Sequence, residues 1–224
     1  MDIGVLGTGS VGQAIATRLA DLGHSVVMGA RDAANETAAA WAEANGGRAG
    51  TFADAASHGE IVINATAGVH ALSALAAADG GQDNLAGKVV ADVTNPLDFS
   101  GGFPPVLSVA NTNSLAEQIQ AAFPEARVVK TLNTVTAAVM VNPDLVPGEH
   151  VLFLSGEDPA AKKTVAGLLG EFGWPAGRLI DLGGIRSART AEMYVPLWVS
   201  LYQALGTANF NIAIVKAEAE EDEE

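Results

Sequence analysis

The sequence contains no cysteine, and this absence excludes several kinds of chemistry at once. A disulfide framework, a thiolate metal site and a cysteine nucleophile all require that residue. Because disulfides mark oxidising compartments, a chain without cysteine is expected in the cytoplasm. The first residues also lead straight into a short apolar run with no cationic segment ahead of it, so no signal peptide is predicted.

Positive charge is scarce, since 12 Lys and Arg stand against 26 Asp and Glu, for a formal net charge of -14. A nucleic-acid-binding protein needs clustered cations to hold phosphate groups, so no nucleic-acid partner is expected. Acidic residues are concentrated at the very end of the chain, in 218–224. We therefore predict a single folded domain over 1–216 and a disordered acidic tail over 217–224.

Long apolar runs and metal-binding patterns are missing as well. No run approaches the roughly 18 apolar residues of a membrane span, so no membrane association is predicted. Neither a paired-histidine zinc motif nor a phosphate loop of the nucleoside-triphosphatase type is present, and no metal site is predicted. With 49% hydrophobic residues, the chain can nevertheless bury a full core by itself.

Short apolar runs alternate with segments of helical periodicity along the chain. Helical spacing over 11–22 separates the runs 3–6 and 25–28, and similar runs recur at 61–63, 89–91, 128–129, 151–154 and 178–181. This alternation predicts a Rossmann-type, doubly wound α/β fold with a mainly parallel sheet. The apolar stretch 187–205, which Pro196 should kink or break, predicts a C-terminal helical extension.

A glycine-rich turn lies between the first predicted strand and the first predicted helix. In such a turn the first glycine permits the tight bend, the second lets backbone amides approach a pyrophosphate, and the third lets the helix pack closely on the strand. The N-terminus of the helix then faces the anion. We therefore predict a dinucleotide site formed by Gly7, Thr8, Gly9, Ser10, Val11 and Gly12.

The end of the second predicted strand bears on the choice between NAD and NADP. An NAD site places an acidic residue there for the ribose 2′-hydroxyl, and that position falls on Ala30. Arg31 follows, and its guanidinium could grip a 2′-phosphate. Counting about 20 residues from Gly12 leads instead to Asp32, which would favour NAD, although Asp32 also suits the cap of the next helix. NADP is the favoured cofactor.

Polar residues follow three of the later predicted strands. Because parallel strands end at one edge of a sheet, we expect these residues to converge on one cleft. Asn95 and Asn133 could bond to a carboxamide or a substrate, or could cap strand ends, and Pro96 would hold its loop rigid. Lys130 is either a proton donor or the partner of Asp92. The predicted cofactor contacts at these strand ends are Asn64, Ala65, Thr66, Asn95 and Asn133.

The four histidines differ in their expected surroundings. His70 follows a predicted strand close to where the cofactor would run, and it is a candidate acid or base. His24 precedes a strand, on the side of the sheet away from the cofactor, so a structural role is expected. His58 and His150 are predicted to lie in surface loops.

With these residues in view, the sequence resembles the family of coenzyme F420-dependent NADP oxidoreductases over almost its whole length apart from the acidic tail. The resemblance rests on 5–12, 29–32, 128–134 and 183–189. The same pattern is similar to the cytosolic domain of STEAP-type metalloreductases. The resemblance to the F420-dependent family implies that NADPH and a flavin-like acceptor stack face to face and that hydride passes directly, without a catalytic residue.

The resemblance also implies roles for individual residues. Thr8 and Arg31 would hold the 2′-phosphate and the glycines the pyrophosphate, while Val135 and Ala137 would border the nicotinamide. Asn133 stands where characterised F420 reductases carry a histidine, so the identity of the acceptor stays open. The acceptor contacts suggested by the sequence are Asn95, Pro96 and Asn133.

Three functions remain open on this basis. The first is hydride transfer between NADPH and coenzyme F420 or a related flavin. The second is an NADPH-dependent reductase of free flavin or of ferric chelates, and the third is a non-catalytic module that senses NADP(H). The apolar stretch 194–205 predicts buried core, with a dimer contact or a wall of the acceptor pocket as alternatives, and a homodimer is expected.

Overall fold

A computed structural model of the protein describes residues 1–217, so the predicted tail, apart from Ala217, lies outside the described residues. Its strands, in chain order, are β1 (Asp2–Leu6), β2 (Ser25–Ala30), β3 (Arg48–Thr51), β4 (Ile61–Asn64), β5 (Val89–Asp92), β6 (Leu97–Asp98), β7 (Val106–Leu107), β8 (Arg127–Thr131), β9 (Leu152–Ser155) and β10 (Leu179–Asp181). Its helices are α1 (Ser10–Asp21), α2 (Glu36–Asn45), α3 (Phe52–His58), α4 (Ala71–Asp79), α5 (Leu115–Ala122), α6 (Ala137–Val141), α7 (Pro159–Glu171), α8 (Ala188–Met193) and α9 (Val195–Leu205).

Eight strands form one sheet in the order β10-β9-β8-β5-β4-β1-β2-β3. In this sheet β8 and β9 pair antiparallel and the other neighbouring strands of the described residues pair parallel, while β6 and β7 form a separate antiparallel pair. This confirms the predicted Rossmann-type fold. The chain leaves β1 toward β2 on one side and returns to β4 on the other, and ligands of such sheets bind where the strand order reverses.

The sheet is buried on both faces, as expected for parallel strands covered by helices. One face packs Ile3 and Val5 against α1, and the other packs Leu6 and Val62 against α3 and α4. The β1 strand lies so close to α3 that a Cβ on Gly4 would stand 2.1 Å from the carbonyl oxygen of Ala55. The strand ends are therefore held rigidly at the edge where the glycine turn emerges.

Helix boundaries follow local signals in the sequence. The Ser114 hydroxyl accepts a hydrogen bond from the backbone N–H of Glu117 at the start of α5. Asp158 caps α7, with Pro159 as its first residue. The C-terminal helical region breaks at Tyr194, and Pro196 lies in the first turn of α9, which confirms the predicted interruption. No helix within residues 1–217 is long and apolar enough to span a bilayer.

The structure differs from the sequence-based expectations at several places, one of which is His58, the last residue of α3 where a surface loop was expected. The cap of α2 is Asn35, whose side chain accepts from Ala38 N, whereas Asp32 accepts from Ala34 N in the turn before the helix. His150 is only 2% exposed, so its predicted place in a surface loop is wrong. The chain after α9 returns over it, with Asn211 donating to His150 Nδ1, and this distant contact has no local signal.

Candidate functional site

The turn from β1 to α1 uses its three glycines in two different ways. Gly7 has a φ of +113°, and a Cβ there would lie 2.6 Å from Ala65 O. A Cβ on Gly12 would lie 2.1 Å from Gly7 O. A Cβ on Gly9, by contrast, would meet nothing within 4 Å. The first and third glycines are thus required by the fold, whereas the second leaves open space above the turn.

The N-terminus of α1 opens onto that space. Gly9 is the N-cap, with extended backbone, and no side chain caps the helix. No acidic residue lies in the first turn either. Free amides and the positive end of the helix dipole favour an anion here, so this cradle fits the pyrophosphate of a dinucleotide.

A cleft of about 620 Å³ extends from the glycine turn along the ends of β2 and β4. Arg31 is exposed at its rim and forms no ion pair within residues 1–217. Asp32 does not line this cleft, whereas His70 does. We call it the nucleotide cleft, and the predicted cofactor residues that line it are Gly7, Thr8, Gly9, Ala30, Arg31, Ala65 and Thr66.

A second cleft, of about 450 Å³, adjoins the first at the end of β4. The two share Ala65, Thr66 and Ala67, so they form one continuous groove across the carboxyl edge of the sheet. We call it the acceptor cleft. The predicted site residues that line it, besides Ala65 and Thr66, are Ser10, Val11, Asn95, Asn133, Val135 and Ala137.

No charged side chain lines the acceptor cleft within the described part of the chain. Its outer wall is aromatic: Phe99 and Phe103 come from the loop around β6, and Trp198 and Tyr202 come from α9. The rings of Trp198 and Tyr202 are stacked, with centroids 5.7 Å apart and planes inclined by 5°. Phe210 stacks on the same indole at 5.3 Å. Such a wall suits a flat ring more than a charged group.

Asn95 and Asn133 are bonded to each other across the floor of the acceptor cleft. Asn95 Nδ2 donates to the backbone oxygen of Asn133 at 2.8 Å, and Asn133 Nδ2 donates to Asn95 Oδ1 at 2.9 Å and to Ala191 O at 3.1 Å. The two backbone carbonyls fix which atom of each amide is nitrogen. Both N–H bonds of Asn133 are therefore used, and its Oδ1 is the atom left for a ligand.

Three of the predicted site residues line neither cleft. Asn64 is completely buried, donating to Asp92 Oδ1 at 2.9 Å and accepting from the Thr66 hydroxyl at 2.8 Å. Pro96 is buried, and its carbonyl accepts from Ser108 N. Gly12 is covered by the turn that it supports. Each holds in place a backbone segment that does reach the groove.

Lys130 lies beneath the cleft and is 1% exposed. Its Nζ is 2.7 Å from Asp92 Oδ2 and 3.0 Å from Glu192 Oε1, and it also donates to the carbonyl of Thr94. Burial by itself lowers the pKa of Lys130, but the two carboxylates outweigh it and the net pKa is raised. The structure thus supports the pairing with Asp92 over the role of proton donor.

Glu192 is a buried residue that the sequence reasoning missed. It is 1% exposed in α8, where its Oε2 accepts from Leu115 N at 2.8 Å and its Oε1 from Ala116 N at 3.1 Å. The available signal was a lone acidic residue at the start of an otherwise apolar helical stretch. Its partners are 62 or more residues away, so the sequence offered no way to choose them.

Comparisons with known proteins identify a family for this chain. Residues 2–96 match the family model described as NADP oxidoreductase coenzyme F420-dependent. An F420-dependent NADP reductase of Methanothermobacter marburgensis is 30% identical over 219 residues, which cover 90% of this chain and 92% of that protein. A crystal structure from Arthrobacter sp. FB24, described as a candidate F420-dependent NADP-reductase, is 49% identical with a TM-score of 0.90, over 96% of this chain and 100% of that one.

The chain is also similar to a longer protein. Metalloreductase STEAP3 of Rattus norvegicus is 30% identical over 196 residues, or 87% of this chain. The matched part is 36% of STEAP3, so the similarity concerns about a third of that protein.

Proposed function

The chain belongs to the coenzyme F420-dependent NADP oxidoreductase family and is an NADP-dependent oxidoreductase. We propose that it passes hydride directly between NADPH and a flat ring such as the deazaflavin of coenzyme F420. The observation that carries this proposal is the uncharged, aromatic acceptor cleft that continues from the nucleotide cleft at 65–67. A dinucleotide bound along the whole groove puts its two ends in two chemically different surroundings.

The nucleotide cleft would hold the two anionic parts of NADPH. The amides at the start of α1 receive the pyrophosphate, while Thr8 and Arg31 receive the 2′-phosphate. Arg31 lines this cleft and forms no ion pair within residues 1–217, whereas Asp32 lies outside the cleft, and both observations support NADP over NAD. With the phosphates held there, the nicotinamide reaches Val135 and Ala137 in the acceptor cleft.

In the acceptor cleft the chain acts by orientation and by exclusion of water. NADPH, when bound, supplies the hydride, so no side chain has to form a covalent bond. The stacked rings of Trp198 and Tyr202 would press the acceptor ring toward the nicotinamide, and the apolar lining would keep solvent from the reacting faces. No side chain is proposed as catalytic.

Asn133 would determine which kind of ligand group can form a hydrogen bond beside it. Because its Oδ1 can only accept, its partner in the ligand has to be an N–H or an O–H. The carboxamide of nicotinamide and the imide N–H of a deazaflavin or flavin both meet that requirement. Asn95 keeps one N–H of its own for a carbonyl beside it.

A second copy of the chain would cover the exposed apolar side chains near the cleft. Leu197 and Leu205 on α9 are 55% and 56% exposed, and Phe103 and Val106 on the neighbouring loop are 59% and 62% exposed. Apolar patches of this kind are typical of interfaces. We expect a homodimer that works in the cytoplasm. Analytical sedimentation at two protein concentrations measures the oligomeric state.

One alternative acceptor is favoured by a specific observation. The similarity to STEAP3, whose name describes a metalloreductase, suggests free flavin as an acceptor that could pass electrons on to a ferric chelate. Among residues 1–217 no charged side chain lines the acceptor cleft and no cluster of His, Asp or Glu could hold a metal ion, so the flavin would be the molecule bound there. A module that only senses NADP(H) would bind the dinucleotide without turnover.

The test is a titration of the purified protein with NADPH and with NADH, followed by NADPH oxidation with F420, FMN and FAD in separate assays. We expect tighter binding of NADPH and oxidation that depends on F420. Turnover with FMN or FAD but not F420 would select the flavin reductase. Binding without turnover on any acceptor would favour the sensing module, and absence of binding would refute the assignment of the nucleotide cleft.

A further inference from the structure

Glu192 is a buried carboxylate that touches neither cleft and is not needed to neutralise Lys130. Asp92 already lies 2.7 Å from the Lys130 ammonium, and Asp92 in turn accepts from Asn64 and Thr94. Glu192 therefore adds a second negative charge to a cluster that is balanced without it. A buried charge is costly unless several hydrogen bonds satisfy it, so its contacts indicate what it does there.

Those contacts join three separate elements. The carboxylate lies on α8, accepts from the first two amides of α5, and meets Lys130 at the end of β8. The positive end of the α5 dipole adds to the attraction. Immediately before it in sequence, the carbonyl of Ala191 accepts from Asn133, which lies on the floor of the acceptor cleft. Glu192 thus fastens α8 to the sheet edge at one point.

The helix that follows this point carries the outer wall of the acceptor cleft. After the break at Tyr194, α9 presents four residues to the cleft: Val195, Trp198, Val199 and Tyr202. Another part of the lining, with Val135 and Ala137, follows β8, the strand that carries Lys130. The contact between Glu192 and Lys130 therefore joins the two segments of the chain that lead into these two parts of the cleft.

We propose that Glu192 is a positioning residue that sets the distance between the α9 wall and the nicotinamide side of the acceptor cleft. It acts through α8 and α9 and does not touch the substrate. The inference rests on the proposed function in one respect, namely that the cleft holds a hydride acceptor. Loss of the Glu192 carboxylate should affect the acceptor and leave NADPH binding almost unchanged, because the phosphates of NADPH are held in the nucleotide cleft.

The test compares Glu192→Gln with Glu192→Asp and with a control, Asp181→Asn. Glu192→Gln keeps the shape but removes the charge, and its NH2 group replaces one of the two oxygens that accept from Leu115 N, Ala116 N and Lys130. Asp181→Asn removes the exposed ion pair with Lys162, between β10 and α7, and neither of these two residues lines the acceptor cleft. Kinetic constants for the acceptor, the NADPH dissociation constant, and hydrogen exchange at α9 and at α1 are measured for each.

We expect Glu192→Gln to raise the KM for the acceptor about tenfold and to leave the NADPH dissociation constant within about twofold of the wild-type value. Hydrogen exchange should become faster at α9 but not at α1. Glu192→Asp keeps the charge on a shorter arm and should recover part of the KM; it serves as the test protein if the Gln variant does not fold. The control should leave KM and α9 exchange as in the wild type.

Unchanged exchange at α9 in the Glu192 variants would overturn the proposal. Faster exchange with an unchanged KM would overturn the link to the acceptor, since the wall would then move without consequence. If the wild-type protein oxidises NADPH with none of the three acceptors, the proposed function fails. In that case exchange at α9 still decides whether Glu192 holds the wall.

Discussion

The two ends of the groove are built by opposite means. The nucleotide cleft is defined by backbone, with a left-handed Gly7 and a helix N-terminus that no side chain caps, together with Arg31, which forms no ion pair in the part of the chain that the structure describes. The acceptor cleft is defined by side chains from five separate segments, most of them apolar or aromatic and the rest polar but uncharged, and a buried cluster of charges lies beneath it. Backbone geometry suits a ligand part that is the same in every reaction, whereas side chains can be exchanged to suit different acceptors.

This contrast predicts that substitutions at the two ends separate NADPH binding from use of the acceptor. The largest effect is expected within the glycine turn, where Gly12→Ala and Gly9→Ala form a matched pair. A Cβ on Gly12 collides with Gly7 O, so Gly12→Ala should lower the free energy of unfolding by about 3 kcal/mol. Chemical denaturation measures this change.

Gly9→Ala should behave in the opposite way. Its Cβ meets no atom of the protein, so the free energy of unfolding should stay within about 0.5 kcal/mol of the wild type. The methyl group would occupy the space that a pyrophosphate needs, and the NADPH dissociation constant should rise roughly 10- to 100-fold. Equal NADPH affinity in wild type and Gly9→Ala would show that the dinucleotide does not lie over this turn.

The second prediction tests the cation of the nucleotide cleft. Arg31→Ala should raise the NADPH dissociation constant roughly 10- to 100-fold, because a charge-assisted hydrogen bond contributes about 1.5–3 kcal/mol. The NADH dissociation constant should change by less than about twofold. Arg186→Ala is the matched control, since it removes the same charge from an exposed position that lines neither cleft. Equal losses for both dinucleotides in Arg31→Ala would count against the 2′-phosphate contact.

The third prediction concerns the aromatic wall. Trp198→Ala removes the central ring of the stack with Tyr202 and Phe210, and it should raise the KM for the acceptor by about tenfold. NADPH binding, followed by fluorescence of the bound cofactor, should change less than twofold. Trp198→Phe keeps a flat ring and should recover most of the loss, and Gln203→Ala on the same helix is the neutral control. A matching loss of NADPH affinity would mean that the two ends are not independent.

The same contrast explains which parts could be predicted from the sequence. The glycine turn was predictable because its pattern is local and stands between an apolar run and a helical repeat. Strand β3 was not predicted because Arg48-Ala49-Gly50-Thr51 contains no apolar run. The strand lies at the edge of the sheet. The comparisons confirm the family resemblance, while the binding roles of individual residues stay predictions.

The acceptor end was harder to predict because its contacts join distant parts of the chain. Asn95 and Asn133 were both selected as strand-end residues, but nothing in the sequence indicated that they bond to each other across 38 positions. The stretch 194–205 was expected as core first, and the structure makes one side of it the wall of a cleft. Glu192 had no recognisable partner until the fold brought α5, β8 and α8 together.

The smallest expected effect concerns a second fastening of α8, which lies nearer the surface. Arg189 donates two hydrogen bonds to Glu117, at 2.7 and 2.6 Å, and these bonds hold the pKa of the Glu117 carboxyl below its ordinary value. A carboxyl whose pKa is lower in the folded state adds stability above its unfolded pKa of about 4.3, and this stability is lost as the pH falls through the folded value.

Glu117→Gln should therefore lower Tm by about 3 °C at pH 7, and the difference from the wild type should shrink as the pH falls below about 4. Thermal unfolding followed by circular dichroism at several pH values measures it. A difference that is the same at pH 3 and at pH 7 would mean that the ion pair does not stabilise the fold. Since the pair joins α5 to α8, acid should loosen the contact between these two helices.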